Sequence, residues 1–146
     1  MKKQRVFGTS DKALKKKFSK TIEELTNNNK VFLVYPVPQP PEHTGSRVNM
    51  LWSKIMLDPE YYKKDNFNYK KEIHRNFYGD TLKFFNELNF ENLYKIRTEN
   101  LFCPENNCIF YDSNNIYYKD TVHLSYVGSK ILIDKILRKI KSVNFN

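Results

Sequence analysis

Val31-Phe32-Leu33-Val34-Tyr35 is a continuous apolar run stopped by Pro36 and Pro38. A run with no polar alternation has no face to turn to water, so it predicts a strand covered on both sides, as in a parallel sheet. The prolines end it, because each lacks a ladder N–H. Ahead of it, Leu14, Phe18, Ile22 and Leu25 recur at helical spacing and predict a helix over 11–27, closed at Asn27-Asn28-Asn29-Lys30, where Asn tolerates a left-handed cap. A helix feeding a strand of this kind predicts an α/β layering. In open parallel sheets the loops beyond the C-terminal strand ends hold the site, so 39–47 is a candidate rim, with Gln39 and His43 as candidate substrate contacts.

The rest of the chain alternates in the same way. Residues 51–62 are ambiguous: Trp52, Ile55 and Met56 are apolar, and Asp58-Pro59 marks a break. A helix is predicted over 68–88, with Tyr69, Ile73, Phe77, Phe84 and Leu88 as its buried stripe, Gly79-Asp80 loosening or splitting it, and His74 structural or on the surface. Residues 93–97 read as a second strand, and 108–111 with 116–118 as a hairpin turning at Asp112-Ser113-Asn114-Asn115. A last helix follows Ser125, which can cap it while Leu124 staples its start; Ile133, Ile136, Leu137 and Ile140 form its apolar face. There are no internal repeats and no low-complexity linkers, so residues 1–146 read as one unit.

At 146 residues, 40% hydrophobic and 15% aromatic, the chain can bury a real core. No apolar run approaches the roughly 18 residues of a membrane span, and Met1-Lys2-Lys3-Gln4-Arg5 is not followed by the apolar stretch of a signal peptide. The +9 formal charge raises nucleic acid as a partner, but its distribution points elsewhere. Lys12, Lys15, Lys16, Lys17 and Lys20 lie around the polar face of the first helix, and Lys130, Lys135, Arg138 and Lys139 repeat the design in the last. These are solvated basic faces. Tyr and Phe sit at core-like spacings rather than on a stacking platform, so no nucleic-acid partner is expected, and a basic nucleic-acid-binding domain stands as an alternative on net charge alone.

Asp120-Thr121-Val122-His123-Leu124-Ser125 carries the chemistry. A carboxylate that accepts from His Nδ1–H fixes the tautomer and leaves Nε2 free to take a proton from a hydroxyl nucleophile. At this spacing the two side chains meet only in a turn or a first helical turn, which the helix after Ser125 supplies. The plainer alternative is that Asp120 caps a turn and His123 is a surface histidine. Cys103 and Cys108 admit three states: a zinc site, free thiols or a short-loop disulfide. Zinc needs two further ligands, and neither His43 nor His74 stands in motif relation to the pair, so no metal is expected.

Four features in order resemble the C-terminal part of the SGNH domains that follow membrane-embedded acyltransferase-3 domains in bacterial surface-polysaccharide O-acyltransferases. They are the Pro-ended strand of 31–38, the Cys103/Cys108 pair, the aromatic segment Ile116-Tyr117-Tyr118-Lys119-Asp120, and Asp120-x-x-His123-Leu124-Ser125-x-x-Gly128, together spanning roughly 12–140, most of the chain. The resemblance implies a three-layer, flavodoxin-like α/β fold around a parallel sheet. It implies transfer of an acyl group, acetyl above all, to or from a glycan hydroxyl through an acyl-serine, with no metal or organic cofactor. His123 would be general base and then general acid, Asp120 its orienting partner, with Leu124 packing the loop and Gly128 allowing close helix approach. It also implies an upstream membrane acyltransferase domain and an acylated glycan or acyl donor as partners, a membrane-anchored parent with this domain outside the cytoplasm, and a Cys103–Cys108 disulfide. The family more often has Glu where Gln39 stands.

The chain also departs from that pattern. SGNH enzymes take their nucleophile from a Gly-Asp-Ser block after the first strand and complete an oxyanion hole with a later Gly and an Asn. No Gly-Asp-Ser occurs here, and the glycines are Gly8, Gly45, Gly79 and Gly128 alone. Gly8-Thr9-Ser10 imitates a strand-nucleophile-helix junction, which makes Ser10 a candidate nucleophile. Only one helix separates it from the Pro-ended strand, leaving no room for the strand that should carry the Asn. The expectation is therefore a partial SGNH domain, incomplete at its N-terminus, inactive alone and exposing apolar surface; a non-catalytic remnant that binds a glycan or protein is the alternative.

Overall fold

A computed structural model of the chain describes residues 10–39, 57, 58, 60, 68–120 and 122–143. Its elements are α1 (Ser10–Thr26), β1 (Val31–Val34), β2 (Asn68–Lys70), α2 (Lys71–Phe77), α3 (Gly79–Glu87), β3 (Leu93–Ile96), α4 (Glu99–Phe102), β4 (Asn107–Ile109) and α5 (Tyr126–Lys141). The apolar run forms β1, which pairs in parallel with β3 in the register Val31 to Leu93 through Val34 to Ile96. Side chains of a strand alternate between its faces, so this register sorts the layers. Leu33 and Tyr35 look one way, into a cluster with Leu88 that Phe18 of α1 and Leu82, Phe84 and Phe85 of α3 cover. The Phe18 and Phe85 rings stack at 5.7 Å, and Tyr35 meets Phe85 edge-on at 5.4 Å. Phe32 and Tyr94 look the other way, stacked at 5.2 Å, with the Lys139 ammonium of α5 over the Tyr94 ring at 5.8 Å. The outcome is α/β, with helices on both faces of parallel strands.

The helix expected over 68–88 is corrected in two ways, its start and its buried face, while the split expected at Gly79-Asp80 is found. Its first residues are instead β2, antiparallel to β4 in the register Asn68 to Ile109, Tyr69 to Cys108 and Lys70 to Asn107. Tyr69 is buried, but as a strand residue stacked on Phe110 at 5.3 Å. The helical part divides at Tyr78, next to Gly79, into α2 and α3. Beginning α2 only at Lys71 changes its buried face: Ile73 and Phe77 are 44% and 56% exposed, whereas His74 is 1% exposed. The expected hairpin is corrected too, since β4 takes β2 as its partner. What remains of it is a tight turn with a single Tyr111–Ile116 bridge, in which Asp112 Oδ1 accepts the Asn114 and Asn115 N–H groups at 2.8 Å each.

A second core gathers Tyr69, Phe102, Cys103, Cys108, Phe110 and Tyr118, with Val37, Leu101, Tyr117 and Leu124 packed against it. The Cys103 and Cys108 sulfurs are bonded, and both residues are fully buried. The loop they close turns through Glu105, a non-glycine residue at φ 57°, and the Lys71 ammonium holds it by donating to Asn100 Oδ1 (2.9 Å) and to the Cys103 (3.1 Å) and Glu105 (3.3 Å) carbonyls. On the loop-closure model a bridge this short contributes about 2 kcal/mol. Its location matters more than that energy, because this core carries the segment leading to Asp120.

Candidate functional site

Residues 116–120 and 122–125 form a small closed loop on the second core. Tyr118 is fully buried, and its hydroxyl donates to the Pro38 carbonyl at 2.5 Å, tying the loop to the chain just beyond β1. Tyr118 and Leu124 form an antiparallel bridge, and the Lys119 N–H donates to the His123 carbonyl at 2.9 Å, so the segment turns back on itself with the dyad at its tip. Ser125 then caps α5: its hydroxyl accepts the Gly128 N–H at 3.1 Å and donates to the Ile116 carbonyl at 2.5 Å. Leu124 does not staple the helix in the expected manner, because the fourth helical position is Ser129; it packs on the second core instead. A Cβ on Gly128 would run into the Tyr117 carbonyl oxygen and lie 3.1 Å from its carbon and 3.2 Å from Leu124 Cδ2. The glycine is therefore what lets α5 start against this loop.

At the tip, one carboxylate does two things. Asp120 Oδ1 accepts the Val122 and His123 N–H groups, each at 2.8 Å, which fixes the turn. Asp120 Oδ2 faces His123 Nδ1 at 2.8 Å. The backbone N–H of Val122 and the His123 side chain hold the Asp120 carboxyl down at about 2. An ionised carboxylate can only accept, so Nδ1 carries the ring proton and the neutral imidazole keeps its lone pair on Nε2. Nε2 has no hydrogen-bond partner among the described residues, and the His123 side chain is 71% exposed. Such a group can take a proton from a hydroxyl that approaches Nε2 and return it to a departing oxygen.

The other sequence-predicted residues relate to this tip in different ways. Gln39 follows directly on Pro38, whose carbonyl receives the Tyr118 hydroxyl, so it stands at the base of the dyad loop and is half-buried. His43 lies outside the described residues, as do Trp52, Ile55 and Met56. Ser10 opens α1 and is followed by helix, while the Gly8-Thr9 ahead of it lies outside the described residues. Among the described residues, no three His, Cys, Asp or Glu side chains group so as to hold a metal ion, and no helix is long and apolar enough to cross a membrane. An open cavity of about 490 Å³ is lined by Lys119, Leu124, Ser125 and Tyr126, the residues just before and after the dyad in the chain, and the sequence alone did not point to it. The interval from Lys119 to Tyr126, spanning the dyad, is the signal that could have found it.

The chain thus carries an oriented Asp-His pair on a loop before a helix, within a parallel α/β framework. The family model for the SGNH domain (fused to AT3 domains) matches residues 2–138, and the chain belongs to this family. Its chemistry is, in general, of the acyl-transfer and hydrolase type, and its relatives join an AT3 domain. No curated protein and no solved structure matches the chain.

Proposed function

We propose that this chain supplies the base-carrying half of an SGNH site that moves an acyl group, acetyl above all, to or from a hydroxyl of a bacterial surface glycan. The observation that supports it is the 2.8 Å contact between His123 Nδ1 and the Asp120 carboxylate, with Nε2 left exposed. As a serine oxygen attacks the acyl carbonyl carbon, Nε2 takes its proton and the C=O electron pair moves to the oxygen. Collapse of that tetrahedral intermediate expels the donor's oxygen, which leaves with the proton from His123. The acyl group then passes by the same steps to a glycan hydroxyl or to water. Asp120 orients the ring and stabilises the imidazolium.

The serine is the missing part. No Gly-Asp-Ser occurs in the sequence, so the nucleophile is proposed to come from a further segment that completes the domain, itself joined to a membrane AT3 domain and lying outside the cytoplasm. A bridged cysteine pair suits that oxidising side. The purified chain is then expected to hydrolyse an aryl acetate no faster than buffer, and to gain activity when combined with a Gly-Asp-Ser-bearing segment. His123→Ala should remove that gain. Robust hydrolysis by the chain alone, lost in His123→Ala, would show that it is complete without a partner, and retention in Ser10→Ala would then exclude Ser10. A combined assembly indifferent to His123→Ala would sink the catalytic reading. The missing block favours one second reading, a non-catalytic remnant that binds a glycan or a partner chain.

A further inference from the structure

The side chains around His123 do not look like an inert loop. Tyr126, the first residue of α5, is 83% exposed, and Val122, one residue before His123, is 50% exposed. Single exposed apolar groups are ordinary. Here the two stand one residue before and three after an exposed imidazole in the chain, and Tyr126 also lines a cavity whose 490 Å³ falls within the roughly 300–1,000 Å³ of ligand clefts. An aromatic face left in water beside a reacting group is a platform for the C–H face of a sugar ring, since it offers area at the cost of few rotatable bonds.

Lys119 lines the same cavity and has no ion-pair partner among the described residues. The carboxylate next to it along the chain, Asp120, is turned to Nδ1 of His123 and to two backbone N–H groups. The cavity thus offers one aromatic face and one cation with no ion pair among the described residues, in a molecule of formal charge +9. Both features are complementary to a sugar ring that bears a negative charge.

We infer that Tyr126 and Lys119 form the acceptor subsite, and that it selects an acidic pyranoside: the ring lies on Tyr126 and its carboxylate meets Lys119. The inference rests on the acyl-transfer reading for the meaning of the site, but it is a statement about binding and can be tested without turnover. Titration calorimetry with the full chain would use trigalacturonate and a sialic acid trimer, each against its neutral methyl ester. At least one acid should bind about tenfold more tightly than its ester. Lys119→Gln should abolish that preference and Lys119→Arg keep it. Tyr126→Ala should weaken acid and ester alike by about tenfold, with Tyr126→Trp restoring both. Lys16→Gln, an equal charge loss on the exposed face of α1, should change neither.

Equal affinity for acids and esters, binding of neither acid, or a loss in Lys16→Gln matching that in Lys119→Gln would overturn the subsite. The two proposals fail separately. A chain that selects the acid but never supports turnover keeps the subsite and loses the hydrolytic reading, whereas an active assembly without acid selectivity does the reverse.

Discussion

At the residue scale, two histidines with opposite environments show what burial and partners do to one side chain. His123 stands in water with an ionised partner. His74 is 1% exposed, and neither of its ring nitrogens has a hydrogen-bond partner among the described residues. Burial holds its pKa below the ordinary histidine value; Glu99 of α4 opposes that shift, while Arg75 and Lys71 of its own helix reinforce it. The folded state therefore keeps His74 neutral, and the unfolded chain takes up the proton as pH falls below about 6.5. Its contribution to stability is present above that pH and is lost as pH falls further towards the depressed folded value. Urea midpoints for the wild type should drop between roughly pH 7.5 and 5.5. His74→Phe, which keeps a ring against Tyr78, should flatten that slope; parallel profiles for the two proteins would refute the assignment. The Asp120–His123 contact was legible in the sequence because it closes within three residues and needs only a turn. His74 was not, since its burial depends on where α2 begins, and β2 sets that point by pairing with a strand some forty residues later.

Elements were legible where a single local pattern decides them. The uninterrupted run of β1 and the capped repeat of α5 form as their spacing requires, and the parallel β1–β3 pairing follows from β1 having no polar face. The segment over 68–88 was misread because Tyr69 fits both a helical stripe and a strand, and a short strand loses to a long periodicity when its partner is unknown. Junctions matter most for the site, and Gly128 governs the principal one. Alanine there would improve helix propensity by about 1 kcal/mol. Its Cβ would nevertheless strike the Tyr117 carbonyl, which also accepts the Ser125 N–H at 2.9 Å and, as backbone, cannot rotate away. Overpacking of this kind costs about 1–3 kcal/mol. Gly128→Ala is thus expected to be net destabilising, by up to about 2 kcal/mol, in urea unfolding. An equally stable or more stable variant would mean that α5 does not start as close to the loop as described.

At the scale of the whole molecule, charge and apolar exposure oppose each other. The first and last helices were read as apolar on one face and basic on the other, yet only part of each apolar face is covered. Leu14 and Leu25 of α1 and Ile133 and Leu137 of α5 are all exposed, although these helices flank the β1–β3 pair. Leu33 is the only buried residue of β1 itself, despite its being apolar throughout. Uncovered apolar surface favours association by about 25 cal/mol per Å² removed from water, while the +9 charge resists it at long range. Salt screens the second effect and leaves the first, since the Debye length falls from about 10 Å at 0.1 M to about 3 Å at 1 M. Sedimentation velocity should therefore show the isolated chain associating more as ionic strength rises. Replacing Ile133 and Leu137 together by serine should shift it back towards monomer. A wild-type chain that stays monodisperse at high concentration and high salt would show that these helix faces are no docking surface, and would remove the physical support for a further segment completing the fold.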